Sequence, residues 1–176
     1  PSSPNLMTIN IKGKSVDVVV QATKGGYLYV FDRVTGKPVY DIKEVPVPGD
    51  GVPGEKLSAT QPIPVKPRPF ARTEFREEDL NPWAENLEEL RATYRKLRKG
   101  MFQPPSFEGN LVFPGFDGGA EWGGSAVDPE TGFYYVNSHE IPCILKISQN
   151  KKFINIIISR LVDFSMFFVE FCCLLN

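Results

Sequence analysis

His139 is the sole histidine of the chain and stands in Asn137-Ser138-His139-Glu140. An imidazole does general-base work when an activated nucleophile and an orienting carboxylate stand beside it. A zinc site needs three or four ligands around the same ion. No serine or cysteine nucleophile motif accompanies His139, so it reads as a loop histidine just past a strand. Asp32 and Asp128 are the carboxylates that invite an acid–base role. Both occupy the first position of one pattern, Asp32-Arg33-Val34-Thr35-Gly36 and Asp128-Pro129-Glu130-Thr131-Gly132. Asp there accepts backbone N–H bonds across a turn, so a structural role outweighs catalysis. Cys143, Cys172 and Cys173 are the only cysteines. Two of them adjacent and one apart do not make a disulfide framework, and they say little about redox compartment.

The elements that would position these groups are mostly strands. Residues 7–12 alternate apolar and polar, Gly13-Lys14 reads as a tight turn, and Val16 to Ala22 is a β-branched run, which together predict a hairpin. Gly25-Gly26 breaks the chain before the strand Tyr27 to Phe31. The Asp32 turn follows, and then a strand expected from Lys37 to Ile42. From Glu44 to Pro69 the chain is proline-rich and aperiodic, and is expected to be an extended connection, neither sheet nor helix. One helix is expected after it. Asn86 with Glu89 has a capping-box pattern, Leu87, Leu90, Tyr94 and Leu97 follow at helical spacing, and Gly100 fits a stop. Strands resume at Asn110 to Phe113 and at Phe133 to Val136. A recurring strand–turn–strand unit suggests a propeller or another repeated β architecture.

Composition excludes little but divides the chain. The formal net charge of −1 lacks the basic excess of a nucleic-acid binder, and no nucleic-acid partner is expected. Every glycine and proline lies at or before Pro142, while all three cysteines follow it. The sequence is therefore read as two segments, 1–147 and 148–176. No basic and apolar leader follows Pro1, and an excerpt from a longer chain is expected.

Several motifs, in order, resemble one family: the membrane-bound type of PQQ-dependent (quinoprotein) glucose dehydrogenase. Gln21 to Arg33, containing Lys24-Gly25-Gly26 and Phe31-Asp32-Arg33, is similar to a Lys-x-Gly-x-x-x-x-Leu/Phe-Asp-Arg segment there. Glu44 to Pro48, Val52 to Glu55 and Thr60 to Pro62 resemble its proline-rich connection. Phe102 to Ser106, Leu111 to Gly115, Glu121 to Gly124 and Val127 to Pro129 complete the series, over roughly 5–147. The resemblance implies an all-β fold, part of an eight-bladed propeller of four-stranded antiparallel blades. A helical insertion at about 44–106 would interrupt it. It also implies pyrroloquinoline quinone (PQQ) as cofactor, with calcium or magnesium polarising it. The substrate would be an aldose sugar or related polyol, with electrons passed to ubiquinone on the periplasmic side of the inner membrane.

Residue by residue, the resemblance places Lys24 where the family lysine contacts the cofactor's quinone oxygens. An ammonium there would stabilise negative charge as the ring accepts hydride; by residue type alone, Lys24 is an exposed lysine ending a strand. Glu121 and Trp122 fall where relatives approach the cofactor's edge. Many relatives carry Asn at the Glu121 position, and an ionised carboxylate accepts hydrogen bonds but cannot donate them. Trp122 has a second reading, as an aromatic packing between blades. Gly123 and Gly124 read as backbone geometry. The family's catalytic aspartate and metal ligands lie upstream of the matched segment, so no catalytic or metal-ligating residue is assigned here.

After Ile147 the resemblance stops. The apolar run Phe153 to Leu175 carries Arg160, Asp163 and Glu170 on one side of a helical wheel. It is expected to be an amphipathic helix that could lie on a membrane surface or another protein, or else translation beyond a broken reading frame. Two other readings of the whole chain stand beside the dehydrogenase fragment: a non-catalytic β-repeat interaction module, and a truncated gene product.

Overall fold

The computed structural model describes residues 2–149, 154–160 and 168–174, the last two stretches as backbone strands. Strand β1 (Asn5–Ile11) and strand β2 (Lys14–Ala22) form the expected hairpin, in register from Asn5 opposite Val20 to Ile11 opposite Lys14. Lys12 and Gly13 turn the chain at φ of 52° and 81°, the left-handed pair that matches strand twist. Strand β3 (Leu28–Asp32) pairs with the other edge of β2. Alternation then decides burial. Met7, Ile9, Val18, Val20, Ala22, Leu28 and Val30 point into one core, joined by Phe70, Ala71 and Ala120.

Beyond the Asp32 turn, the strand expected from Lys37 is reduced to one bridge, Phe31 with Pro38, and pairing resumes only at strand β4 (Ile42–Pro46). The proline-rich connection is corrected as well. Its flanks form an antiparallel ribbon, β4 with strand β5 (Thr60–Pro64). Prolines are tolerated because they alternate with the bonded pairs. Val47 N–H donates to Ala59 and Val65 N–H to Asp41, so Pro46, Pro62 and Pro64 fall in the intervening pairs, whose nitrogens face away from the partner strand. The Tyr29 hydroxyl donates to the Pro62 carbonyl at 2.6 Å and ties the ribbon to β3.

Helix α1 (Leu87–Lys96) follows a short helical turn at Glu77–Asp79. The capping box does not form: Asn86 makes no side-chain cap bond, and the chain enters the helix through the Asn86 carbonyl, which accepts from Leu90 N–H. The helix also stops short of Gly100. Leu97 leaves in extended geometry because its side chain is buried with Phe75, Leu80, Leu111 and Phe113 in a second core. Lys99 Nζ then donates to the Tyr94 and Leu97 carbonyls.

Strands β6 (Asn110–Val112), β7 (Ser125–Val127), β8 (Phe133–His139) and β9 (Cys143–Gln149) complete the main body. Tyr134 and Val136 of β8 enter the first core. His139 is the last residue of β8 rather than a loop residue. The expected tail helix is also corrected: strand β10 (Ile154–Arg160) pairs with β9, and strand β11 (Phe168–Leu174) pairs with β8. Ile154, Ile156, Ile157 and Ile158 are β-branched and lose side-chain freedom in a helix, while β8 and β9 offer open edges to pair with. The remainder of the tail lies outside the described residues. The sheets are thus β1-β2-β3, β4-β5, β7-β8-β11 and β6-β9-β10. Among the described residues no helix is long and apolar enough to cross a membrane.

The two Asp-x-x-Thr-Gly turns close in the same way. Asp32 Oδ1 accepts from the Val34 and Thr35 amides at 3.0 and 2.7 Å; Asp128 Oδ1 accepts from Glu130 and Thr131 at 2.9 and 3.4 Å. Gly36 and Gly132 sit at φ of 69° and 74°. The Thr35 amide and hydroxyl hold the Asp32 carboxyl below its ordinary value, and the Thr131 hydroxyl does the same for Asp128. A folded-state pKa below the unfolded one contributes stability above the unfolded value, and that stability is lost as pH falls through the folded value. Urea midpoints of native chain and Asp32→Asn should therefore converge below about pH 4, the ordinary aspartate range. A gap unchanged between neutral and acid pH would show that the Asp32 charge does not matter to the turn.

Candidate functional site

Lys24 rides on the connection between β2 and β3. That loop is held by Thr23, whose N–H and hydroxyl both donate to the Tyr27 carbonyl at 3.1 and 2.9 Å, and by Gly26 N–H donating to Thr23. Gly26 has φ of 80°, and a Cβ there would lie 3.0 Å from the Ala71 Cβ, so glycine is required both for the turn and for the close approach.

The second half of the site arrives from the far end of the sequence. Gly119 N–H donates to the Lys24 carbonyl at 2.7 Å, and the Gly119 carbonyl accepts from His139 N–H at 3.0 Å. This threads the 115–124 loop between the Lys24 turn and the end of β8. Within the loop, Gly118 N–H donates to Gly115 and Gly124 N–H to Glu121.

The outcome is an ion pair. Lys24 Nζ lies 2.5 Å from Glu121 Oε1, donates to the Phe116 carbonyl at 3.1 Å, and stands 5.5 Å from the Phe116 ring centre. The Lys24 side chain is 49% exposed and that of Glu121 22%. Glu121 is held below the ordinary carboxylate range, first by the Lys24 hydrogen bond and then by Trp122 N–H, which donates to its other oxygen. An ion pair this open to water adds little to stability; its value is in placing a charge.

Of the three residues singled out from the sequence, Lys24 and Glu121 are thus in contact. Trp122 follows directly, with 83% of its surface exposed, so the described residues do not bury it as a packing aromatic. A groove of about 290 Å³ opens beside Lys24, lined by Gly25, Phe102, Pro114, Gly115 and Phe116 among others. Phe116 was not anticipated. It lies one residue past the Leu111–Gly115 motif, and the only hint was the glycine pair that follows it. The Asp32 and Asp128 carboxylates are engaged in their own turns, and His139 meets the site loop through its backbone N–H to Gly119. Among the described residues no three His, Cys, Asp or Glu side chains gather as a metal site.

The family model described as PQQ, glucose/ethanol/alcohol dehydrogenase, beta-propeller domain, matches residues 1–158. A quinoprotein glucose dehydrogenase of Gluconobacter oxydans (strain 621H) is 35% identical over 153 residues, covering 84% of this chain and 18% of the relative. A probable quinate dehydrogenase (quinone) of Xanthomonas campestris pv. juglandis is 34% identical over 142 residues, 78% of this chain and 18% of the relative. A glycerol dehydrogenase large subunit of Gluconobacter thailandicus is 33% identical over 146 residues, 80% of this chain and 20% of the relative. The chain spans about a fifth of the length of these relatives.

Proposed function

The chain belongs to the β-propeller family of PQQ-dependent glucose, ethanol and alcohol dehydrogenases, and from that premise we propose that it is a propeller segment whose Lys24, Glu121 and Trp122 face PQQ. The observation that carries this reading is the contact of Lys24 Nζ with Glu121 at 2.5 Å, made by loops far apart in sequence. The donor set suits the cofactor. The ammonium has three N–H bonds. One is engaged by Glu121 and one by Phe116, which leaves one for a quinone oxygen approaching from the exposed side. Glu121 orients the ammonium, and Trp122 offers an indole face to a flat ring.

Bound PQQ supplies the two-electron acceptor for alcohol oxidation. Lys24 contributes fixed positive charge where negative charge develops, a preorganised electrostatic role that needs no proton transfer from it. The substrate is proposed to be an aldose sugar or related polyol. The named substrates of the relatives, glucose, quinate and glycerol, share vicinal hydroxyls and support that class. Electron delivery to a quinone, a calcium or magnesium ion on the cofactor, and a periplasmic location at the inner membrane complete the proposal for the whole protein.

Titrating the chain with PQQ in calcium buffer, by cofactor absorbance, tests the site. Saturable binding is expected, weakened at least about tenfold in Lys24→Ala, the scale of one lost charge-assisted bond. No binding by a folded chain would remove the cofactor site from this segment and leave the interaction-module reading in its place.

A further inference from the structure

Tyr134 is fully buried, with 0% of its surface exposed, yet its hydroxyl ends in a polar chain that crosses three strands. It makes a short contact with the Ser125 hydroxyl. Ser125 Oγ donates to Asn5 Oδ1 at 2.5 Å, and Asn5 Nδ2 donates back to the Ser125 carbonyl at 3.0 Å. Asn5 lies opposite Val20 of β2, so the chain of bonds reaches the strand that leads to Lys24.

These contacts are placed where the site needs them. β2, which pairs with the Asn5 strand, ends two residues before Lys24. Ser125 is the first residue of β7, directly after the Glu121–Gly124 turn. One chain of side-chain bonds therefore joins the base of the Glu121 loop to the strand pair that leads into the Lys24 loop. The far end of β8 holds them a second time, through His139 N–H to Gly119 and Gly119 N–H to Lys24. β8 is a strut with one fastening at each end.

We propose that Tyr134, acting through Ser125 and Asn5, is a positioning residue that fixes the separation of Lys24 and Glu121. This rests on the reading of that pair as the cofactor-facing group. A buried hydroxyl in a satisfied chain stiffens its surroundings, because every alternative leaves a polar group unpaired. A phenylalanine would fill the same volume and merely release the two loops from each other. Desolvation pushes the Tyr134 phenol above its ordinary pKa, so the neutral O–H that the chain of bonds requires is the one present.

Tyr134→Phe and Ser125→Ala in the full chain provide the test, read by the side-chain ¹⁵N resonance of Lys24. Ammonium protons held by a carboxylate exchange slowly enough with water to be seen. The native chain should show that signal, and both variants should lose it while keeping a dispersed, folded spectrum. PQQ affinity should fall about tenfold alongside, as for one lost hydrogen bond. Retention of the Lys24 signal in both folded variants would overturn the proposal. Failure of both to fold would overturn it too, by assigning the hydroxyls to stability. If the native chain shows the signal but binds no PQQ, the cofactor reading falls, and the Lys24 signal in the variants still decides the positioning role.

Discussion

Gly115→Ala should destabilise the chain by about 3 kcal/mol or more, the upper range for overpacking a filled interior. A Cβ on Gly115 would lie 1.9 Å from the Ile141 carbonyl oxygen, 2.9 Å from Cys143 Sγ and 3.1 Å from the Ile141 carbonyl carbon. Two of those atoms are backbone in the crossing from β8 to β9, so no rotamer change relieves the clash. Either that crossing moves or the 115–124 loop does. The loop carries Phe116, whose amide donates to Cys143 Sγ and whose carbonyl accepts from Lys24, so the site should loosen together with the fold. Urea denaturation measures the effect. Gly49→Ala is the control, since nothing lies within 4 Å of its added Cβ, and it should stay within about 0.5 kcal/mol. Equal midpoints for the two variants would mean that the approach at Ile141 is not as close as described.

Leu28→Ala should cost about 2–5 kcal/mol, the span observed for removing a buried leucine side chain. Leu28 has no exposed surface. It pairs with Ala22 across the loop that presents Lys24 and belongs to the core shared by β1, β2, β3 and β8. The cavity would open directly beneath the Lys24 turn. Leu6→Ala on the same sheet removes a side chain that is 58% exposed and should change the midpoint by less than about 0.5 kcal/mol. Comparable losses from the two would mean that the first core does not hold the fold.

The parts of this fold legible in the sequence are those where local chemistry leaves one answer. The β1–β2 hairpin follows from alternation plus a Gly-containing turn, and both Asp-x-x-Thr-Gly turns follow from an Asp side chain and a glycine at fixed spacing. Helix α1 was visible from Leu87, Leu90 and Tyr94. Its start after Asn86 was legible as well; its end was not, because tertiary burial of Leu97 and the Lys99 side chain replaced the local stop. The β4–β5 ribbon was hidden because proline argues against strands unless the pairing phase is known, and phase is a property of two segments together. The tail misled through its wheel: charges on one side of a helix can equally be spaced along a strand. At the site, residue types alone made Lys24 an ordinary exposed lysine. Only the resemblance singled it out, and only the fold brings it to Glu121, since nothing local in either loop encodes the other.

The proline phase of the ribbon has a consequence for how the protein behaves in a crowded solution. Along the outer rim of β5 the outward nitrogens belong to Thr60, Pro62 and Pro64. Two have no hydrogen to give, and the third is occupied by the Ser58 hydroxyl. The outward carbonyl of Pro62 is already taken by Tyr29. A neighbouring chain laid along that rim would find almost no ladder to join. Exposed strand edges are templates for cross-chain growth, and proline is among the devices that blunt them. In the language of polymer chemistry β5 is an end-group: it terminates the sheet, and aggregation seeded from this side of the molecule stops before its first addition.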